Sequence, residues 1–237
     1  MPAYLSVIIP AYNEEKRIGS ALSGIYGFLK TKNYDYEVIL VDDGSSDKTI
    51  LRAQDNELAK INKLKIIRNA SNKGKGFSVK NGILNSTGEY VLFSDADLSA
   101  PIEETDKLFN HIEKGYDIVI GSRSVKDSNV KTHQPFYREG MGRIFNFFVN
   151  LLLMSGFRDT QCGFKLFKGN IAREIAKELT INGFCFDVEM LYIARKKGYK
   201  VAEVGIIWEN SLQSKVRIIN SSVFMFVDLL KIKRRHK

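Results

Sequence analysis

Short apolar runs alternate with segments of helical periodicity through residues 1–125, and this alternation constrains the fold more than any other feature of the sequence. Each run is rich in β-branched residues and stops at proline or polar residues, as expected of a strand buried on both faces. Between the first two runs, apolar residues recur at 18, 22, 25 and 29, the spacing of one helix face. Strands that alternate with helices predict βαβ units and a mainly parallel sheet. The predicted strands are 5–9, 37–41, 64–67, 90–93 and 117–120.

Two aspartates, Asp95 and Asp97, follow the fourth predicted strand one residue apart. Extended backbone places residues i and i+2 on one face, so both carboxylates can point to the same region beyond the strand. Two like charges repel unless a cation lies between them, and the hard cations Mg²⁺ and Mn²⁺ suit such carboxylates. A solvated turn that caps the next helix explains the same residues without any metal. Taken alone, the pair leaves both interpretations open.

Polar clusters follow several of the other predicted strands. Ligands of parallel α/β sheets bind beyond the carboxyl ends of the strands, where these clusters would meet. Helix capping accounts for each acid singly, but it does not predict an arginine at the same edge. The shared edge therefore favours a ligand site. The clusters are Tyr12 and Glu14, Asp42 and Asp43, Asp95 and Asp97, and Arg123.

The net charge of +9, from 36 Lys and Arg against 27 Asp and Glu, favours anionic partners. Phosphate-bearing small molecules, nucleic acid and acidic membrane surfaces all qualify. No run of 18 apolar residues occurs, so we expect neither a signal peptide nor a spanning helix. Cys162 and Cys185 lack metal-ligand spacing and are expected to be buried, reduced thiols.

The second half of the chain is less regular. Residues 142–154 are strongly apolar but too short as a helix to cross a bilayer, so they suit a core helix or a helix in a membrane interface. A helix-like segment at 223–230 leads into the basic tail 231–237, which suits adsorption to an anionic bilayer or a solvated terminus. A helix at 171–178 and a strand at 201–208 are also predicted.

The glycine-rich segment 72–76 lacks the spacing of a P-loop and does not follow the first strand, as a dinucleotide-binding fold requires. Its backbone N–H groups and Lys75 can hold an anion at a helix N-terminus, or the segment is an ordinary turn. The three histidines are scattered, and no nucleophile motif is present.

Five ordered motifs, at 7–14, 41–47, 72–76, 95–97 and 121–123, resemble those of the family-2 glycosyltransferases of the GT-A fold. Within that family, 159–167 and 186–189 resemble the dolichyl-phosphate β-glucosyltransferases more than the mannosyl counterparts. The resemblance covers nearly the whole chain. It implies a GT-A fold, a Rossmann-like α/β architecture with a mainly parallel sheet flanked by helices, and acceptor or membrane-proximal helices near the C-terminus.

By that resemblance, Asp97 would hold Mg²⁺ or Mn²⁺, and Asp95 would hold the metal or the ribose. The implied catalytic residues are Asp97, Arg123, Asp159 and Asp187. The implied contacts of the nucleotide-sugar donor are Pro10, Ala11, Tyr12, Glu14, Asp42, Lys75, Asp95, Ala96 and Lys215. The implied contacts of the acceptor phosphate are Arg138, Arg143 and Arg217.

The resemblance also predicts one domain over 1–237, with a nucleotide-sugar-binding half at 1–125 and an acceptor-binding half with amphipathic helices at 126–237. The sequence departs from eukaryotic members, which carry an N-terminal membrane anchor, and from bacterial relatives with C-terminal spanning helices. The expected position is peripheral, on the cytoplasmic face of a membrane, through 144–154 and the basic tail or through a partner protein. A homo-oligomer is compatible with this arrangement.

The predicted reaction is metal-dependent, inverting transfer of glucose from UDP-glucose to dolichyl or another polyprenyl phosphate. A phosphomonoester with a second pKa of about 6 is largely anionic at neutral pH, so it needs no general base. A hydroxyl acceptor calls for a base, with Asp159, Asp187 and Glu189 as candidates unless they cap helices or form ion pairs.

Several alternatives remain open on the sequence. Within the enzyme class, the donor can be GDP-mannose or the acceptor a glycan hydroxyl. Outside it, the chain can be a basic protein that binds membrane or nucleic acid. We expect no nucleic-acid partner, because the aligned carboxylates would repel a polyanion and aromatic stacking motifs are absent.

Overall fold

The computed structural model describes residues 2–132, 136–209 and 218–236, without the side chains of 137, 138 and 218–224. Strands and helices alternate in this order along the chain. The strands are β1 (Leu5–Ala11), β2 (Tyr36–Asp42), β3 (Leu64–Arg68), β4 (Tyr90–Ser94), β5 (Ile118–Ser122), β6 (Asn129–Thr132), β7 (Phe164–Lys168), β8 (Val201–Gly205) and β9 (Ile207–Glu209). The helices are α1 (Ile18–Leu29), α2 (Thr49–Gln54), α3 (Glu57–Lys60), α4 (Lys75–Leu84), α5 (Thr105–Glu113), α6 (Phe136–Leu152), α7 (Gly169–Glu178), α8 (Phe186–Lys196) and α9 (Ile218–Arg235).

Seven of the described strands form a central sheet in the order β3-β2-β1-β4-β7-β5-β8. Neighbouring strands are parallel except around β7, which runs antiparallel to both β4 and β5. The predicted mainly parallel sheet flanked by helices is therefore confirmed. The five strands predicted in the first half are all present, with ends that differ by one or two residues.

Strand β7 is not among the sequence predictions. Its residues read Phe-Lys-Leu-Phe-Lys, and Lys165, the second of the five, has a fully buried side chain. A lysine is almost never buried unless it is paired, so its presence hides the strand from an apolar pattern. The pairing comes from Asp187, a residue 22 positions later in the chain.

The strand predicted at 201–208 is two strands in two sheets. β8 joins the edge of the central sheet beside β5, whereas β9 pairs in parallel with β6 in a separate two-stranded sheet. Ile206 lies between them and is fully buried, so the apolar run continues through the break. The continuous pattern therefore predicted one strand where the chain changes sheets.

Alternate residues of the buried strands face two apolar cores, one on each side of the sheet. α4, α6, α7, α8 and α9 cover the side reached by Ile8 and Phe93. α1, α2, α3 and α5 cover the side reached by Val7 and Leu92. This layering leaves the carboxyl ends of β1, β2 and β4 open to a cleft.

The helices of the second half pack onto this framework. α6 begins at Phe136, six residues before the predicted start, and contacts α9 through aromatic rings. Within the described residues, we find no helix that combines the length and the apolar character needed to span a bilayer. Cys162 and Cys185 are buried and unpaired, as predicted, and burial raises the pKa of Cys162 to about 12.

Candidate active site

A cleft of about 450 Å³ lies at the carboxyl edge of the sheet. Its walls come from the residues that end β1, follow β2 and β4, and precede α4 and α8. Elements distant in sequence therefore meet at one place, as the pattern of polar clusters predicts. The lining residues are Pro10, Ala11, Tyr12, Glu14, Arg17, Asp43, Asn72, Gly74, Lys75, Ser78, Asp95, Ala96, Asp97, Gly183 and Phe184.

Asp95 and Asp97 both line the cleft, just past the end of β4. The Asp97 carboxylate accepts a hydrogen bond from the Ser99 N–H at 3.0 Å and lies 3.9 Å from the Arg17 guanidinium. Leu98 has a φ of +48°, an unusual value for a leucine, and its side chain packs near Gly24 of α1. The turn is thus held in a strained conformation immediately after the acidic pair.

Lys75 is the cation that faces Asp95. Its ammonium nitrogen lies 2.6 Å from Asp95 Oδ1 and within 5.3 Å of the centre of the Phe93 ring. Burial alone would lower the pKa of Lys75, but the charges of Asp95 and Asp187 outweigh it and raise the pKa above its ordinary value. Lys75 is therefore fully protonated at neutral pH and presents a positive charge to the cleft.

The backbone at Gly163 is pressed against the Asp95 carboxylate. A Cβ added to Gly163 would lie 2.1 Å from Asp95 Oδ2, a distance that real side chains do not adopt. The Asp95 N–H also donates to the Gly163 carbonyl at 3.1 Å. Only glycine leaves room for this approach, so the residue that enters β7 fixes the position of Asp95.

Asp43 rather than Asp42 reaches the cleft. The Asp43 carboxylate accepts hydrogen bonds from the Lys73 and Gly74 N–H groups at 2.9 and 2.8 Å, and it orders the loop before α4. Asp42, predicted to hold the nucleoside, is fully buried and accepts from the Ser45 N–H instead. The two carboxylates point apart because successive residues of an extended segment face opposite sides.

Glu14 lines the opposite wall in a bidentate ion pair. Its carboxylate oxygens accept from Arg17 Nε and Nη2 at 2.7 and 2.8 Å. The preceding Asn13 has a φ of +55°, and its amide oxygen accepts from the Ser46 N–H at 2.9 Å. The loop after β1 is thereby tied to the loop after β2, with Tyr12 partly exposed at the cleft mouth.

Arg123 and Asp159, both predicted to be catalytic, bind each other. Arg123 Nε and Nη2 donate to the two carboxylate oxygens at 2.7 and 2.8 Å, and the guanidinium lies 5.4 Å from the centre of a Trp208 ring. Burial alone would raise the pKa of Asp159, but Arg123 outweighs it and holds the pKa below its ordinary value. Asp159 is consequently a weak base, and the pair stands outside the lining of the cleft.

Asp187, the fourth predicted catalytic residue, is buried under the cleft against the ammonium of Lys165, which also donates to the Cys162 carbonyl. Burial raises the pKa of Asp187 in spite of Lys165 and Lys75. Glu189, the other candidate base, is fully buried and accepts from Thr180 and from the Ile181 N–H. Neither carboxylate lines the cleft.

Of the residues predicted to bind the acceptor phosphate, only Arg143 has a side chain that the structure describes. Arg143 is exposed on α6. The side chain of Arg138 and the whole of Lys215 and Arg217 lie outside the described residues. Their predicted roles therefore stay predictions.

Residues 6–176 match the model of a known family, described as "Glycosyl transferase family 2". The chain belongs to glycosyl transferase family 2. It is thus a nucleotide-sugar-dependent glycosyltransferase. Curated relatives cover most of it: a protein named dolichyl-phosphate beta-glucosyltransferase from Dictyostelium discoideum is 39% identical over 98% of this chain and 75% of its own. Proteins of the same name from Homo sapiens and Saccharomyces cerevisiae are each 34% identical, over 98% and 97% of this chain and 75% and 74% of their own.

Solved structures show the same fold at low sequence identity. Glucosyl-3-phosphoglycerate synthase from Mycobacterium tuberculosis, crystallised with Mn²⁺, UDP-glucose and glycerol 3-phosphate, superimposes with a TM-score of 0.72 and 18% identity. The match covers 98% of this chain and 80% of that one. A second crystal structure of that enzyme, with Mg²⁺ and UDP, gives a TM-score of 0.70 over the same shares.

The cleft of this family 2 glycosyltransferase fits a hard divalent cation. Asp95 and Asp97 supply oxygen ligands, and neither a thiolate nor an imidazole is among the described residues that line the cleft. Asp95 Oδ1 already attracts one cation, the Lys75 ammonium at 2.6 Å. No group of three or more His, Cys, Asp and Glu side chains in the described ranges could hold a metal alone. Mg²⁺ commonly binds through one or two carboxylates and completes its shell with substrate phosphates and water. The two aspartates suit such a shared site.

The structure adds residues to the predicted site of this glycosyltransferase. The sequence assigned no role to Arg17 or Gly163, and it named Asp43 only as a member of a polar cluster. Asp43 stands beside a predicted residue, so the adjacent pair of aspartates already carried the signal. Gly163 lies in a segment matched only as a family motif, and its contact with Asp95 cannot be read until β7 is placed.

Proposed function

We propose that this chain transfers glucose from UDP-glucose to the phosphate of dolichol or another polyprenol, with inversion and with Mg²⁺ or Mn²⁺ held by Asp95 and Asp97. Several relatives named dolichyl-phosphate beta-glucosyltransferase align over nearly the whole chain. The choice of glucose follows the name of these relatives, and UDP follows the ligand of a structure with the same fold. The metal is inferred from the cleft, whose lining includes Asp95, Asp97 and Lys75. Because the chain belongs to a family of glycosyltransferases, it is not the basic binding protein that the sequence left as an alternative.

One structural observation supports the choice of acceptor: each of the three carboxylates considered as bases already takes part in an ion pair or hydrogen bonds. Asp159 is bound by Arg123, Asp187 by Lys165, and Glu189 by the segment before α8. A sugar hydroxyl needs a nearby base to take its proton. A polyprenyl phosphate has a second pKa of about 6 and arrives largely deprotonated. The arrangement therefore favours a phosphate acceptor over a glycan hydroxyl.

The residues of the cleft have distinct roles in this proposal. A divalent cation bound to Asp95 and Asp97 supplies positive charge for the departing diphosphate. Lys75 is protonated and placed beside Asp95, so it binds the same phosphates and stabilises their growing charge. Asp43 holds the loop that carries Lys75, and Gly163 fixes Asp95. The nucleophilic oxygen of the acceptor attacks the anomeric carbon from the face opposite the diphosphate.

The test is transfer of radiolabelled glucose from UDP-glucose to a short, detergent-dispersed polyprenyl phosphate in Mn²⁺ or Mg²⁺. We expect labelled lipid with the phosphate and none with the corresponding alcohol. Asp97→Asn should lose at least about 100-fold in kcat/KM, because removing one charged contact made in the transition state typically costs 10²-fold or more. Asp55→Asn, at an exposed position outside the cleft, is the matched control.

Other outcomes would identify another reaction. Transfer from GDP-mannose in preference to UDP-glucose would overturn the donor. Transfer to a glycan hydroxyl but not to lipid phosphate would overturn the acceptor. Full activity in the presence of a chelator would overturn the role of the metal.

A further inference from the structure

Helix α6 is apolar on two faces. Phe145 and Val149 point into the core and are buried. Ile144, Phe147 and Leu151 are 57, 62 and 65% exposed, although they are large apolar side chains. The spacings of three and four residues place these three side chains along one line of the helix. A helix whose only role was to pack against the core would carry polar side chains on its outer face.

The exposed face of α6 lies beside a second one on α9. The Phe148 ring contacts the Phe147 ring at 5.6 Å and the Phe226 ring at 5.0 Å, so aromatic contacts join the two helices. Next to Phe226, Val227 and Leu230 are 45 and 59% exposed, one turn apart. Together Ile144, Phe147, Leu151, Val227 and Leu230 form what we call the apolar ridge.

Exposed basic residues neighbour the apolar ridge in the sequence of both helices. Arg143 is exposed beside Ile144, and the last turns of α9 present four exposed basic side chains. Of these, Lys231 is paired with Asp228 at 2.8 Å. The other three have no acidic partner within the described part of the chain. They are Lys233, Arg234 and Arg235.

We propose that the apolar ridge and these basic residues dock the enzyme on the surface of an anionic lipid bilayer. Exposed apolar side chains with Lys and Arg beside them match the boundary between acyl chains and anionic headgroups. A protein partner would have to combine an apolar surface with acidic side chains at matching positions, whereas an anionic bilayer presents acyl chains and negative headgroups over its whole surface. The inference rests on the proposed function, since a polyprenyl phosphate is itself held in a membrane.

The experiment measures binding of the full chain to vesicles of phosphatidylcholine alone and of phosphatidylcholine mixed with phosphatidylserine, by flotation. We expect binding to the mixed vesicles, weaker binding to the neutral ones and a steep loss at high salt, because surface charges are screened. Leu151→Gln should weaken binding to mixed vesicles about tenfold, since an apolar side chain no longer leaves water. Leu51→Gln, at a leucine 58% exposed on α2, is the matched control and should bind like the wild type.

A second pair of variants tests the basic residues of the proposed docking surface. Arg234→Glu should weaken binding to the mixed vesicles by about fivefold or more and leave binding to neutral vesicles unchanged. Arg52→Glu, exposed on α2, is its control and should change neither. If both leucine variants or both arginine variants weaken binding equally, the location of the docking surface is wrong.

Two measurements separate this inference from the proposed function. Leu151→Gln should keep wild-type transfer to a short, water-dispersed polyprenyl phosphate, which needs no bilayer. Wild-type protein that transfers glucose but fails to float with mixed vesicles would overturn the docking surface and leave the function intact. If Leu151→Gln instead dissociates an oligomer in sedimentation, the ridge is an interface between copies, and the bilayer proposal is wrong.

Discussion

Replacing Gly163 with alanine tests whether β7 positions the acidic pair. The added Cβ would lie 2.1 Å from Asp95 Oδ2 and 2.4 Å from its Cγ, whereas real Cβ contacts essentially never fall below 3.0 Å. The carboxylate or the backbone must therefore move by about 0.9 Å. Pairing of Ser94 with Phe164 in the sheet holds the backbone on both sides, so the carboxylate should move. A misplacement of about 1 Å costs on the order of 100-fold in rate.

The assay compares kcat/KM for glucosyl transfer and the affinity of Mn²⁺ in the presence of UDP, measured by calorimetry. We expect Gly163→Ala to lose about 100-fold in kcat/KM and to bind Mn²⁺ more weakly. Its free energy of unfolding should fall by about 1 kcal/mol, the low end for an overpacked site, because the Asp95 side chain can turn toward the open cleft.

Gly27→Ala is the control, because a Cβ at Gly27 meets nothing within 4 Å and the position lies inside α1. Alanine there should raise stability by up to about 1 kcal/mol and leave transfer unchanged. The reasoning is refuted if Gly163→Ala folds normally and keeps kcat/KM within about threefold of the wild type, a far smaller loss than a misplacement of 1 Å predicts.

Two further predictions concern the charged pairs. Lys75→Met should weaken UDP-glucose binding by about 10-fold to 100-fold, the range for a charged hydrogen bond. It should also tighten Mn²⁺ binding in the absence of nucleotide, because the competing ammonium beside Asp95 is gone. Unchanged affinities for both ligands, measured by calorimetry, would contradict this role of Lys75. Asp159→Asn should lower the melting temperature by on the order of 10 °C at neutral pH, because it leaves the Arg123 guanidinium unpaired. Since Arg123 lowers the pKa of Asp159, that carboxylate stabilises the fold fully above its unfolded pKa of about 3.9, and the contribution is lost as pH falls further. The gap between the melting curves of the two proteins should therefore narrow in acid, and a constant gap from pH 7 to pH 2 would show that the ion pair is not its cause.

The parallel strands of the first half and the edge where their polar residues meet are readable from sequence, because a strand buried on both faces is a continuous apolar run. Strand β7 is not readable, since its buried Lys165 is neutralised by Asp187 from helix α8. A pattern along the chain contains no information about a partner 22 residues away.

The roles of individual carboxylates show the same limit. The sequence Asp42-Asp43 marks the right corner of the site, but it does not say which side chain turns into the cleft. That choice depends on the strand ending at Asp42, with its side chain directed inward. Likewise, the partners of Asp159 are fixed by the tertiary fold, so a candidate base in sequence becomes a member of an ion pair in space.

The position of β7 also has a consequence for synthesis on the ribosome. β4 ends at Ser94 and pairs with β1 on one side, but its neighbour on the other side, β7, begins at Phe164, 70 residues later. At a translation rate of about 5 to 20 residues per second, this edge of β4 stays unpaired for roughly 4 to 14 s until β7 is synthesised. During that interval Val91, Leu92 and Phe93, all buried in the finished sheet, border an unpaired edge open to other nascent chains. Slower translation between Ser94 and Phe164 should therefore reduce the yield of folded enzyme even though no amino acid is changed.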